Sequence, residues 1–271
     1  MHTLAQTANY VITINSNKRM LLDRLLENKF DQGFFGLFRD EDVPIGFEVY
    51  RISNKATGDL EYVGNFKCGN GSPCTLWHLA NCFESDDGRK LFIDGSVSIV
   101  PLDRKWHEVK TEDHELQRFT IDLDSGKATS EVLLGRTSTE GFEFPGINPR
   151  FHMHRNEFIF ALGNPLAETN CSVVKLNTAT GESARLAGLR ANESPMEPLF
   201  LPRPGAAEGD ELDGVLLVEA IDMDTGSSDL LFVEPREFTV TARVPAPVGA
   251  NFGLHSTWID PELLPSQISK F

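Results

Sequence analysis

The sequence predicts an all-β chain of β-propeller type carrying one amphipathic helix, and three observations lead there. Apolar and polar residues alternate with a period of two from one end to the other. Only one stretch shows a helical apolar period. Tight turns ending in Thr-Gly or Ser-Gly recur at steps of roughly fifty residues, the length of one four-stranded blade. At that length the 271 residues hold about five blades.

The elements follow in order. Tyr10-Val11-Ile12-Thr13-Ile14 is the first alternating run. Residues 17–29 form the expected helix, with Leu21, Leu22, Leu25 and Leu26 on one side, Lys18, Asp23, Arg24 and Glu27 opposite, and Asn17 as its cap. Alternation then marks strands at 46–52, 61–66, 75–84, 90–100, 117–123, 157–162, 172–176, 214–221, 229–233 and 238–244. The recurring turns are Ala56-Thr57-Gly58-Asp59, Leu123-Asp124-Ser125-Gly126-Lys127, Ala179-Thr180-Gly181-Glu182 and Met223-Asp224-Thr225-Gly226. Asp, Ser and Thr side chains hold such turns, and glycine supplies the positive φ.

Composition narrows the function. Lys and Arg total 25 against 40 Asp and Glu, a formal net charge of −15. A phosphate backbone would be repelled without a basic face, and no basic stripe is present, so nucleic acid is not an expected partner. No apolar run approaches the ~20 residues of a membrane span, and the first six residues lack the pattern of a signal peptide. Four cysteines in such a chain read as reduced thiols, which points to a cytoplasmic setting.

Seven histidines are the candidates for chemistry. His107 and His114 sit among charged residues and read as solvated loop. His152 and His154 are two apart and would share a strand face, where they could chelate a metal. His78, in Thr75-Leu76-Trp77-His78-Leu79-Ala80, lies in an apolar strand. His255, in Asn251-Phe252-Gly253-Leu254-His255-Ser256, is also in an apolar setting, and His2 precedes Thr3-Leu4-Ala5. Histidines far apart in sequence but flanked by apolar strand residues can converge on a propeller axis, where imidazoles suit iron, zinc or copper. Cys68, Cys74, His78 and Cys82 have the residue types of a structural zinc site. Their spacings are wrong for a zinc knuckle, and positions 74 to 82 of one strand extend on the order of 26 Å, too far to meet at one ion.

These residues also carry a resemblance. Trp77-His78-Leu79-Ala80-Asn81-Cys82-Phe83-Glu84 resembles the Phe-His-x-x-Asn-Ala-x-Glu stretch of the carotenoid oxygenase family. Gly141-Phe142-Glu143-Phe144-Pro145-Gly146-Ile147-Asn148 and Glu197-Pro198-Leu199-Phe200-Leu201-Pro202-Arg203-Pro204-Gly205-Ala206 are similar to two further motifs. Asp213-Gly214-Val215-Leu216-Leu217, Ala242-Arg243-Val244 with Phe252-Gly253-Leu254-His255, and Met1-His2-Thr3-Leu4 with Thr7, Asn9 and Tyr10 complete the set in the family's order.

The resemblance implies a seven-bladed propeller whose axis holds Fe(2+) on four histidines. His2, His78 and His255 resemble three of these ligands, and Glu143 and Glu197 resemble carboxylates that orient them. A carboxylate flanked by Phe142 and Phe144 costs several kcal/mol if buried unpaired, so Glu143 is expected to have a partner. Trp77, Phe142, Phe144 and Phe252 neighbour this site in sequence and are expected to line an apolar tunnel. The implied activity is dioxygenase cleavage of a C=C bond in a carotenoid, apocarotenoid or stilbene-like arylalkene with O₂. The family's first ligand has no counterpart here. Residues 1–271 are therefore expected to be a single incomplete propeller domain, the C-terminal portion of a longer oxygenase. The alternative is a metal-free, inactive propeller fragment acting as a binding module. Residues 17–29 leading into Phe30, Phe34, Phe35, Leu37 and Phe38 make an apolar patch that could touch a membrane surface peripherally or, as is commoner for a surface helix, cover the propeller's outer rim.

Overall fold

Alternation becomes antiparallel pairing in the computed structural model, which describes residues 4–27, 37–69, 74–99, 113–137, 140–164, 171–246 and 255–259. The chain opens with β1 (Leu4–Gln6) and β2 (Tyr10–Asn15). A short ribbon of β3 (Lys18–Met20) and β4 (Phe38–Asp40) follows, with helix α1 (Leu22–Leu26) between them. β5 (Gly46–Asn54) and β6 (Asp59–Lys67) complete the first sheet, in the order β1-β2-β5-β6. The second sheet runs through β7 (Thr75–Glu84), β8 (Lys90–Ser98), β9 (His114–Asp122) and β10 (Lys127–Leu134). β11 (Phe142–Gly146), β12 (Phe158–Gly163), β13 (Ser172–Asn177) and β14 (Ser183–Arg185) build the third. In the fourth, β15 (Glu193–Pro195) and β16 (Leu199–Pro202) both pair with β17 (Gly214–Asp222), followed by β18 (Ser228–Glu234) and β19 (Thr239–Pro245). Among the described residues, then, four sheets have the size of a blade.

Three apolar clusters glue neighbouring sheets face to face. Ile12, Phe47 and Val49 meet Leu91, Ile93, Phe119 and Ile121 between the first and second. Ala80 and Leu116 meet Phe142, Ile159 and Leu176 between the second and third. Phe160 and Val173 meet Phe200, Leu216, Val218 and Leu231 between the third and fourth. No such cluster among the described residues joins the fourth sheet to the first, so the sheets form an open arc.

The repeated turns share one device. In each, the N–H of the glycine donates to the backbone carbonyl of an Asn or Asp four residues earlier: Asn54, Asp122, Asn177 and Asp222. The side-chain oxygen of that same residue accepts backbone N–H groups inside the turn, such as Ala56 at 3.0 Å and Ser125 at 2.8 Å. The glycines adopt φ of 73° at Gly58 and 69° at Gly226. Gly58, Gly126 and Gly181 join the last two strands of their sheets, whereas Gly226 joins β17 to β18, one hairpin earlier.

The helix expected over residues 17–29 is corrected to the five residues of α1. Asn17 does not cap it. Its backbone N–H donates to Cys74 O and its Oδ1 accepts from Thr75 Oγ1 at 2.8 Å, which ties it to the second sheet. Residues 18–20 are claimed by β4, so helical dihedrals begin only after Leu21. Leu22 and Leu26 are 60% and 79% exposed, so the apolar side of α1 is not packed on the core. His152 and His154 also depart from expectation. They follow a 3₁₀ turn at Pro149–Phe151 rather than sharing a strand face. Asn81 fixes this segment, donating through Nδ2 to Phe151 O, His154 O and Asn156 Oδ1.

Candidate metal centre

His78 stands in the middle of β7, where the chain departs from regular pairing twice, between Leu76 and His78 and between Leu79 and Asn81. Gly95 on β8 permits this. A Cβ there would meet His78 O at 2.5 Å and Leu76 Cδ1 at 2.7 Å. Glu143 lies on β11, the leading strand of the next sheet, and the residue after it, Phe144, takes a left-handed φ of 51°. That turn of the backbone brings the carboxylate and the following ring to the same imidazole. His78 Nδ1 is 2.6 Å from Glu143 Oε2, the Phe144 N–H donates to the same oxygen at 2.5 Å, and the Phe144 ring stacks on His78 with centroids 4.8 Å apart. The expected partner of Glu143 is therefore His78.

A second histidine–carboxylate pair faces the first. Glu197 occupies the break between β15 and β16, and His255 Nδ1 lies 3.3 Å from its Oε2. The Ser256 N–H donates to the same oxygen at 3.1 Å. The His255 ring is 4.9 Å from that of His78 and 5.7 Å from Phe144, nearly perpendicular to both. The two pairs differ in setting. His78 and Glu143 side chains are 18% and 7% exposed, against 48% and 22% for His255 and Glu197. A cleft of about 250 Å³ opens beside Glu197, lined by Met196, Leu199, Leu217, Leu230 and Trp258.

The donor chemistry suits a metal. A carboxylate holding Nδ1–H fixes the tautomer that leaves Nε2 as a neutral, outward-facing ligand, and both histidines are held this way. Among the described residues no three His, Cys, Asp or Glu side chains gather as a metal cluster, so His78 and His255 are two donors of any larger set. His2 and Phe252 lie outside the described residues. Trp77 falls within the first irregularity of β7 and is half-buried, while Phe142 belongs to the core between the second and third sheets. Of the four aromatics expected to line the site, Phe144 contacts both imidazoles. Cys68, Cys74 and Cys82 are buried and form no cluster with His78. Burial pushes the Cys74 thiol up to about 12 and that of Cys82 higher still.

One histidine was misplaced by its charged neighbours. His114 is not solvated loop but the first residue of β9; its side chain is 13% exposed and its Nε2 is 4.0 Å from Glu143 Oε1. The signal lay in Leu116, a buried apolar residue two positions on and therefore on the same strand face as His114.

Antiparallel blades, with one carboxylate-held imidazole on β7 and a second in the segment after β19, define a propeller-type protein with a candidate histidine centre. The family described as retinal pigment epithelial membrane protein matches residues 1–260, and the chain belongs to this family, that of the carotenoid oxygenases. Carotenoid cleavage dioxygenase 8 of Arabidopsis thaliana is 23% identical over 287 residues, covering 96% of this chain and 46% of that protein. The solved cobalt-substituted apocarotenoid oxygenase of Synechocystis superposes with a TM-score of 0.71 at 20% identity, over 94% of this chain and 52% of that one. The lignostilbene dioxygenase of Pseudomonas brassicacearum gives 0.71 at 21% identity, over 93% and 53%. The chain thus spans about half the length of the relatives it matches. Among the described residues, no helix is long and apolar enough to cross a membrane.

Proposed function

We propose that this chain forms the C-terminal part of a non-haem iron(II) dioxygenase that cleaves a C=C bond of an apolar polyene or stilbene-like arylalkene. One alkene and one O₂ yield two carbonyl products, so no other reductant is needed. The observation that carries this reading is the pair of carboxylate-held imidazoles, His78–Glu143 and His255–Glu197, with ring centroids 4.9 Å apart. His78 and His255 would hold the metal through Nε2, and the resemblance adds His2 to them. When bound, ferrous iron supplies the redox-active centre that brings O₂ and an alkene into reaction. Glu143 and Glu197 keep each Nδ1 protonated and each ring fixed. Phe144 stacks on one face of His78. The names of the Arabidopsis and Pseudomonas relatives support carotenoid or stilbene substrates.

Iron per chain by elemental analysis, on protein reconstituted without oxygen, tests this. Near-stoichiometric iron is expected, lost in His78→Ala and His255→Ala. A folded preparation that binds no iron would favour the alternative of a metal-free binding module, to which the open arc lends weight. We also propose peripheral membrane contact through α1, because Leu22 and Leu26 are exposed on it. Liposome flotation that leaves the Leu22→Glu and Leu26→Glu variants bound like the parent rejects it.

A further inference from the structure

Glu143 is a buried carboxylate whose two oxygens face different neighbours. Both the His78 ring and the Phe144 N–H engage Oε2. Oε1 is turned towards His114, whose Nε2 stands 4.0 Å away across the β9–β11 contact. The acidic residues on either side of His114 are turned to other partners. Asp113 lies 3.6 Å from Arg136 Nη1, and Glu115 accepts from Gln117 Nε2 at 2.6 Å. Nearby, Ser96 Oγ donates to Phe142 O at 2.9 Å, which locks β8 to β11 and fixes the distance between the two groups.

A carboxylate at this depth is stabilised by every dipole or charge aimed at it, and its hold on one partner depends on what the other oxygen meets. We infer that His114 is a positioning residue that acts through Glu143 on His78. The imidazole facing Oε1 sets the plane of the carboxylate, so that Oε2 is presented to His78 Nδ1. This inference rests on the proposed metal centre and assigns it a third layer of support.

Cobalt(II) chloride titrated into the purified 271-residue chain, followed by visible absorption, tests it. The parent, His78→Ala, Glu143→Gln, His114→Asn, His114→Gln and the double variant His114→Asn/Glu143→Gln are compared, each with its melting temperature. Glu143→Gln is expected to weaken cobalt binding about 10-fold and His114→Asn about threefold, since outer partners of a ligand typically matter at the ten- to hundredfold level and His114 is one contact further away. His114→Gln keeps an N–H at a reach comparable to Nε2 and should recover to within about twofold of the parent with a matching cobalt spectrum. In the double variant the His114 substitution should add nothing, because its route runs through Glu143. His114→Asn binding like the parent, or fully additive losses in the double variant, overturns the inference and leaves the metal reading standing. A parent that binds cobalt no better than His78→Ala overturns the metal reading and this inference together.

Discussion

Glu143→Gln and Glu197→Gln make the same chemical change at two sites of unequal geometry, and the structure ranks the outcomes. At Glu143 the substitution removes a charged acceptor 2.6 Å from His78 Nδ1 on a side chain only 7% exposed. The amide oxygen that takes the place of Oε2 then faces both His78 and the Phe144 N–H without the negative charge that strengthens each contact. Hydrogen bonds to charged groups contribute about 1.5–3 kcal/mol. A loss of 10- to 100-fold in metal affinity, the usual effect of removing such a partner, corresponds to about 1.4–2.7 kcal/mol. The two estimates agree. At Glu197 the contact is 3.3 Å to a histidine that is 48% exposed, so water screens and replaces it. There the expected cost is that of an exposed pair, about 0.2–1 kcal/mol, or roughly 1.5- to 5-fold. Anaerobic iron(II) titration against a competing chelator, with melting curves to confirm folding, measures both. Equal losses, or a larger loss at Glu197, would refute the argument that burial and contact length set the strength of these supports.

Three further outcomes follow from the packing. Gly95→Ala places a methyl group 2.5 Å from His78 O. It should lower stability by about 1–3 kcal/mol in urea unfolding and weaken metal binding as well, because β7 must shift. Arg118→Met strands the fully buried Asp94, whose two oxygens now accept from the guanidinium at 2.7 Å each, and should cost about 3–5 kcal/mol, partly recovered by adding Asp94→Asn. With the Cys74 thiol at about 12, its thiolate fraction at pH 8 is on the order of 10⁻⁴, so a thiol reagent should label the half-buried Cys171 well before Cys74 or Cys82. The raised folded value also means that the stability Cys74 contributes is full below the unfolded value of about 8.5 and declines as pH climbs from there towards 12. Denaturation midpoints that stay flat from pH 8 to 11 would contradict that.

Sequence patterning reveals the hairpins because each has one face in a cluster. Tyr10, Ile12 and Ile14 alternate as they do because they enter the first core. Strands of three or four residues, such as β1, β15 and β16, carry too few alternations to register. The leucines of 21–26 do have a helical period, but the pairing of Lys18–Met20 with Phe38–Asp40, which shortens the helix, is a long-range fact that no local period encodes. Within the candidate site, the residue types and order point to His78, His255, Glu143 and Glu197 through resemblance. Which carboxylate serves which imidazole depends on how adjacent sheets pack, and His114 was hidden by charged neighbours that turn away from it.

The open arc bears on how long each half of the site survives thermal opening. A stack of sheets in which each touches only its neighbours melts from its ends, as repeat arrays do. The His78–Glu143 pair spans the second and third sheets, with a sheet guarding it on either side, whereas His255 and Glu197 belong to the terminal sheet and the segment beyond it. Amide hydrogen exchange should find the protons of β7, β8 and β12 slowest and those of β18 and β19 faster. The His78–Glu143 pair then sits among the slower-opening strands and the His255–Glu197 pair beside the faster ones.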